Sequence, residues 1–381
     1  MNKFADILQN AKKLFTSGST AVAIGVDVGS SSIKIVEVKK KEGKAYLETY
    51  GAIALGPYAG LSVGQVTNLP GEKLAIAIKD LLKEINATTT TGALAIPSSA
   101  SLIFTVELPG GIKGEDLKTA VATEARRFIP VPINEVSLDS WEIPTQESFL
   151  DNPEDEVHEG LDKSVAPLED KTKVLVAAIH NDTIAKYQDL VNQAQMDARF
   201  FEIETFSAIR SLVEHELVPM LIIDFGASKT KLSIVEHGII RVFHVVNRGS
   251  QDITLALSKA LSISFDQAED MKKRYGLQEN APDLNAKEVI RTVIDYIFGE
   301  TTTVILEYEK KTGKNLKKIV ATGGGALLYG LQEYASKTFR AEVVLGNAFT
   351  KTEAPAFLEQ MLAATGPEFT VSVGLALRVL S

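Results

Sequence analysis

The sequence predicts a mixed α/β protein of two lobes built on duplicated cores. Three observations lead there. A phrase made of a β-forming run, Asp-x-Gly-x-Ser and a second β-forming run occurs twice, from Ile24 to Val36 and from Leu221 to Ile234. Each copy opens three consecutive strands that are followed by helices, so the halves share one plan. The chain of 381 residues is also too long for one compact core of ordinary size.

In the first half, strands are expected at about 22–28, 32–40 and 44–54, a helix near 72–86, and strands near 92–97 and 101–108. A helix near 115–129 follows, halted by Pro130 and Pro132 because the residue before a proline avoids the α region. Strands near 135–143 and 172–180, a helix at about 182–195, a strand near 198–203 and a helix to about 216 complete it. The second half brings strands near 220–225, 230–236 and 239–246, helices at about 250–262, 265–275 and 286–313, and a strand near 317–321. It ends with a helix near 326–339, a strand near 341–345 and a final helix from about 367. The first lobe is placed at 20–215 and the second at 216–381, with the last helix a candidate to cross back.

The chemistry sits in the turns. A buried strand delivers Asp27 or Asp224 to its end, and Gly29 or Gly226 follows where a Cβ would block a tight turn or a ligand's approach. Ser30, Ser31 and Ser32, and Ala227, Ser228 and Lys229, come next. Small-residue turns of this kind aim backbone N–H groups at one point and suit phosphate. The carboxylate would repel phosphate, so its natural work is to hold a hydrated Mg²⁺. A third phrase, Lys318 to Leu328, runs a strand into Gly323-Gly324-Gly325 and then an apolar stretch of helical spacing. Bare backbone near a helix N-terminus accommodates a nucleotide. Neither the dinucleotide fingerprint nor a P-loop occurs.

In order, these phrases resemble the two phosphate motifs and the adenosine motif of the actin, heat-shock chaperone and sugar-kinase superfamily. Ile203 to Ile209 resembles its first connecting segment, with Thr205 where the pattern has proline, and Ala268 to Gly276 resembles the ribose-and-base segment of the bacterial actin-like branch. Within that superfamily the chain is similar to the PilM family of type IV pilus assembly, a relative of the FtsA division proteins. The residues carrying this are Ala122 to Val136, with Arg127-Phe128-Ile129-Pro130-Val131-Pro132 at their centre, and Gly366 to Phe369 and Val373 to Arg378 near the end. The resemblance spans about residues 24 to 378.

It implies a two-lobed actin-like ATPase fold with inserted subdomains at about 100–180 and 250–315, and ATP or ADP with Mg²⁺ between the lobes. Asp27 and Asp224 would hold the metal through water. Gly29, Ser30, Ser31, Ser32 and Lys34, with Gly226, Ala227, Ser228 and Lys229, would clasp the phosphates. Gly323, Gly324 and Gly325, with Glu269 and Lys272 or Lys273, would line the adenosine end. Glu204 is the candidate for orienting or deprotonating water, and equally reads as a glutamate at a positive helix end. Firm nucleotide binding with slow or negligible turnover is the expectation.

Composition bounds the partners. The formal net charge is −9, and Pro144 to Lys171 carries nine acids against two lysines, so nucleic acid is disfavoured and that segment reads as a solvated loop. No cysteine is present, which fits a reducing cytoplasm, and none of the five histidines has a metal-binding spacing. Phe4, Ile7, Leu8, Ala11 and Phe15 define an amphipathic helix over 1–19 that packs on this protein, docks on a partner or lies on a membrane. The resemblance further implies a partner, the short cytoplasmic N-terminal peptide of a PilN-like inner-membrane protein, at the inner face of a bacterial inner membrane. Self-association stays open, and membrane contact comes mainly through the partner. Two other readings are an FtsA-like filament former, which expects a basic C-terminal helix where this chain ends Arg378-Val379-Leu380-Ser381, and a small-molecule kinase.

Overall fold

The structure, a computed structural model, describes residues 21–143, 171–214, 218–278 and 284–381. The helix expected over 1–19 and all of the acidic segment but Lys171 lie outside the described residues. Among the described residues no helix is long and apolar enough to cross a membrane.

The duplicated phrase becomes a duplicated sheet. Strands β1 (Val22–Val28), β2 (Ser32–Lys41) and β3 (Lys44–Ala54) form an antiparallel meander, and β4 (Thr91–Ile96) adds parallel to β1. The helix between them is α1 (Gly71–Glu84). Its counterpart sheet holds β9 (Met220–Phe225), β10 (Thr230–Glu236), β11 (Ile239–Val246), β12 (Lys318–Thr322) and β13 (Glu342–Leu345). With β8 (Asp197–Ile203) the strand orders are β3-β2-β1-β4-β8 and β11-β10-β9-β12-β13, the same arrangement of antiparallel and parallel pairs. Central strands β1 and β9 read as nearly unbroken apolar runs because both of their faces are covered.

Residues Ser99–Ala185 form a separate compact unit. It contains an antiparallel sheet of β5 (Ser101–Pro109), β7 (Lys171–His180) and β6 (Val136–Ile143), with helix α2 (Gly114–Ala125) on it and Val106, Leu108, Val121, Val174 and Val176 as its core. Helix α2 stops at Ala125, short of the expected 129, and Ile129 is tucked in ahead of Pro130.

Both duplicated sheets lie in the other unit. Helix α3 (Asn181–Ala194) leads into β8, and α4 (Glu204–Leu212) follows it. Helices α5 (Ser250–Leu261), α6 (Phe265–Tyr275) and α7 (Leu284–Thr312) cover the second sheet, whose core includes Leu221, Ile223, Leu232, Ile234, Leu257, Ile290, Ile294 and Phe298. Helix α8 (Leu331–Phe339) joins β12 to β13, and α9 (Glu359–Thr365), which periodicity did not indicate, precedes α10 (Thr370–Leu380). Helix α10 returns to the first sheet, where Val373, Ala376 and Leu380 pack on Ala23, Val36 and Val38, and Val371 and Leu375 on Ala93, Ala95 and Ala208.

One buried carboxylate fastens this return. Glu202 of β8 accepts from Arg210 Nη2 at 2.7 Å and from Ser207 Oγ at 2.5 Å, and pairs with Arg378 of α10. Burial makes its carboxyl hold the proton more tightly, but the bonds and charge of Arg210, Arg378 and Ser207 win and hold the carboxyl below its ordinary value. Breaking a buried pair strands the remaining charge. Arg210→Met is therefore expected to cost about 3 kcal/mol in urea unfolding at pH 7, and the loss should shrink below pH 4 as Glu202 takes up a proton; an unchanged midpoint at pH 7 rules this out.

Candidate functional site

Both Asp-x-Gly turns fold alike. The Gly29 amide donates to Ser32 O and the Gly226 amide to Lys229 O, each at 3.0 Å, and a Cβ on either glycine would stand 2.9 or 2.7 Å from that same carbonyl. The turns' own carbonyls are tied outward. Ser30 O accepts from Thr67 N at 2.8 Å and Ser31 O from Leu55 N at 2.9 Å, while Gly226 O and Ala227 O accept from Ser250 N and Gln251 N at 2.9 Å. The amides of Ser30, Ser31, Ala227 and Ser228 donate to no described residue. Each turn thus presents N–H groups and hides C=O groups, the polarity an anion requires.

Charges gather at the strand ends. Antiparallel register sets Lys34 opposite Asp27 and Lys231 opposite Asp224. Lys231 Nζ lies 2.9 Å from Asp224 Oδ2 and 2.7 Å from Glu204 Oε2, while Ser98 N donates to Glu204 Oε1 at 2.7 Å. Burial works against the Lys231 ammonium, yet Asp224 and Glu204 overcome it and raise its affinity for the proton. Asp27 is 7% exposed, and burial pushes its carboxyl up to about 6; Lys34 and Lys231 oppose the rise, and Glu204 and Asp224 add to it. The Tyr187 phenol is likewise pushed up, by burial and by Glu204 and Asp27, which places it at the same cluster.

The glycine triplet lies beside this cluster, since Thr322 at the end of β12 pairs with Asp224. Gly323 has φ +80°, and a Cβ there would sit 2.4 Å from Asp224 Oδ1. The triplet does not open a helix as the sequence implies. Gly324–Leu327 is a single 3₁₀ turn, and α8 starts only at Leu331, because Gly330 takes φ +79° and Tyr329 O is drawn off to the Leu277 amide at 2.8 Å. Next to Gly325 stands Ser250, whose carbonyl accepts from Lys272 Nζ at 3.2 Å. Lys272 in turn pairs with Glu269 at 2.7 Å, and Thr254 Oγ1 donates to Glu269 at 2.6 Å. Burial raises the Glu269 carboxyl, but Lys272, Thr254 and Lys273 outweigh it and hold it below its ordinary value. A loop from the first sheet closes over this end: Val66 N donates to Gln251 Oε1 at 2.5 Å, and Gly64 borders Glu269.

The family described as type IV pilus assembly protein PilM matches residues 25–380. The chain belongs to the PilM family. Among solved structures it is similar to a PilM–PilN type IV pilus biogenesis complex, with TM-score 0.77 and 24% identity over 94% of this chain and 98% of that one. It also resembles the ethanolamine utilization protein EutJ of Carboxydothermus hydrogenoformans, with TM-score 0.50 and 15% identity over 98% and 97%. The cell division protein FtsA of Neisseria meningitidis serogroup B is 22% identical over 353 residues, 84% of this chain and 82% of that protein. The fold is thus the actin-like one, mixed α/β on duplicated sheets.

Most candidate residues of this family member meet in one region, with three at its margin. Gly324 is exposed, Lys273 reaches only Glu269 Oε1 at 3.3 Å from a largely solvated position, and Lys229 makes no side-chain bond among the described residues. Sequence reasoning missed Lys231, Ser98 and Tyr187. Lys231 had a signal: it stands seven residues after Asp224, as Lys34 stands after Asp27. Ser98 and Tyr187 had none, because folding alone brings them to Glu204. Among the described residues no three His, Cys, Asp or Glu side chains assemble as a direct metal cage. Magnesium needs none, since it keeps several waters and takes one or two carboxylates with substrate phosphates.

Proposed function

We propose that the protein is an ATP-binding scaffold of type IV pilus assembly that engages the short cytoplasmic N-terminal peptide of a PilN-like protein at the inner face of the bacterial inner membrane. The observation that carries the nucleotide part is the matched pair of turns, whose inward amides donate to no described residue, beside a buried Asp27 carboxylate that bonds to none among the described residues. Gly29 to Ser32 and Gly226 to Lys229 would hold phosphate oxygens, Lys34 would add charge, and Asp27 and Asp224 would hold the metal, Asp27 with its carboxylate open and Asp224 with Lys231 already on its Oδ2. Glu269, Lys272 and Gly323 to Gly325 border the adenosine. Bound Mg²⁺ would supply the charge that offsets phosphate and carboxylate repulsion. Membership of the PilM family and similarity to a solved PilM–PilN complex support the partner.

Glu204 is a positioned group in this reading. Both of its oxygens are engaged, one by the Ser98 amide and one by Lys231, so it is held away from the free swing that activating a water demands. Phosphate release far below an ordinary ~10 s⁻¹ is expected, and Glu204→Gln should change it less than about threefold. Rapid release lost in that variant would refute the scaffold role. Titration with a fluorescent ATP analogue, with and without Mg²⁺, tests the site itself, and no binding in either condition overturns it. A pull-down with the PilN-like peptide, with and without ATP, tests the partner: capture supports it, and no capture in either state removes it.

A further inference from the structure

The two Asp-x-Gly copies match in backbone and differ in charge. In the second, Lys231 holds Asp224 Oδ2 and Glu204 Oε2 together at 2.9 and 2.7 Å, Ser98 N occupies Glu204 Oε1, and Asp224 Oδ1 is pressed against Gly323. Little of that ammonium reaches solvent, its side chain being 16% exposed. In the first copy Lys34 faces Asp27 in register but makes no ion pair with it, and the Asp27 carboxylate bonds to no described residue although Asp27 is only 7% exposed. Three carboxylates and two ammonium groups therefore act on one another here, and Asp27 is the carboxylate left without a direct cation contact among the described residues.

We infer that Lys231 is a built-in counter-cation, seated where a metal ion would otherwise bridge Asp224 and Glu204, so that a divalent cation is directed to the Asp27 side. This rests on the reading of the region as a Mg²⁺–nucleotide site. The aspartates of the duplicated phrase would then have divided their work. Asp27 keeps an open carboxylate, and Asp224 holds the lysine that spares the site a second metal.

Mn²⁺ alone, with no nucleotide present, is the probe, read by electron paramagnetic resonance on the full chain. Lys231→Met leaves Asp27, Glu204 and Asp224 with only Lys34 and should tighten Mn²⁺ binding about tenfold over the wild type, since carboxylate charge count sets cation affinity. Lys231→Arg should keep the wild-type value, and Lys231→Met with Glu204→Gln should give back most of the gain. Equal Mn²⁺ affinity in wild type and Lys231→Met overturns the inference. If Lys231→Met folds only with metal, the same comparison is read as the Mn²⁺-induced rise in melting temperature. A larger rise than in wild type supports the counter-cation; an equal rise, or a variant unfolded even with Mn²⁺, refutes it. Because no nucleotide enters, failure here is separate from failure of ATP binding.

Discussion

Gly374→Ala is expected to destabilise the protein by about 3 kcal/mol or more, a large part of a typical stability of about 5–15 kcal/mol. A Cβ at residue 374 would stand 1.8 Å from Ser207 O and 2.5 Å from its carbonyl carbon, and the obstacle is backbone, not a flexible side chain. On the other side of α10, a Cβ at Gly25 would stand 1.9 Å from Ser372 O. The helix is thus gripped between α4 and β1 at two bare-backbone contacts, and relief requires a shift of well over an ångström. That shift pulls Arg378 from Glu202 and disturbs β1, the strand that delivers Asp27. Overpacking is the cause, and β1 carries the damage to the turn at Gly29. Gly299, inside α7, is the control, because nothing lies within 4 Å of its Cβ position and alanine there should stabilise by up to about 1 kcal/mol. Urea midpoints decide the matter: a Gly374→Ala midpoint within about 1 kcal/mol of wild type would show that α10 is not clamped as described.

The second expected result is a stability gain that depends on pH. Ligand-free Asp27→Asn should be more stable than wild type by about 2–3 kcal/mol at pH 8 and equal to it near pH 4. Burial lifts the folded-state carboxyl from 3.8 to about 6, so the folded protein holds this proton more tightly than the unfolded chain. Ionising Asp27 therefore costs stability, the cost growing as pH rises from about 4 to about 6 and staying constant above. Asparagine avoids that cost. The same change removes the open carboxylate, so Mg²⁺-dependent nucleotide affinity should fall about 100-fold. Thermal unfolding across pH 4–8 together with nucleotide titration reads both effects, and a variant less stable than wild type at pH 8 would sink the account.

Much of this was legible in particular residues. The turns at Gly29 and Gly226 follow from local chemistry, because a strand end, a glycine and small hydroxylated residues leave the backbone few options. Strand positions followed from apolar runs, and β1 begins and ends where the pattern put it. The helix after the triplet was misplaced because apolar spacing from Ala326 looked continuous, while Gly330 and the Tyr329–Leu277 bond broke it. Lys231 was passed over because its neighbours in sequence announce a strand, and its ion pairs lie seven and twenty-seven residues away.

By itself the sequence determined the two matched strand–turn–strand phrases, the mixed α/β class and the actin-like family resemblance, since periodicity and turn chemistry act over a few residues. Only the tertiary structure decided that Asp27 is left open while Asp224 is bound to Lys231, and that Gly25 and Gly374 are contact points for α10. Those outcomes depend on which backbones approach and which charges are desolvated together. No local pattern records either, so identical phrases acquired unequal electrostatic roles.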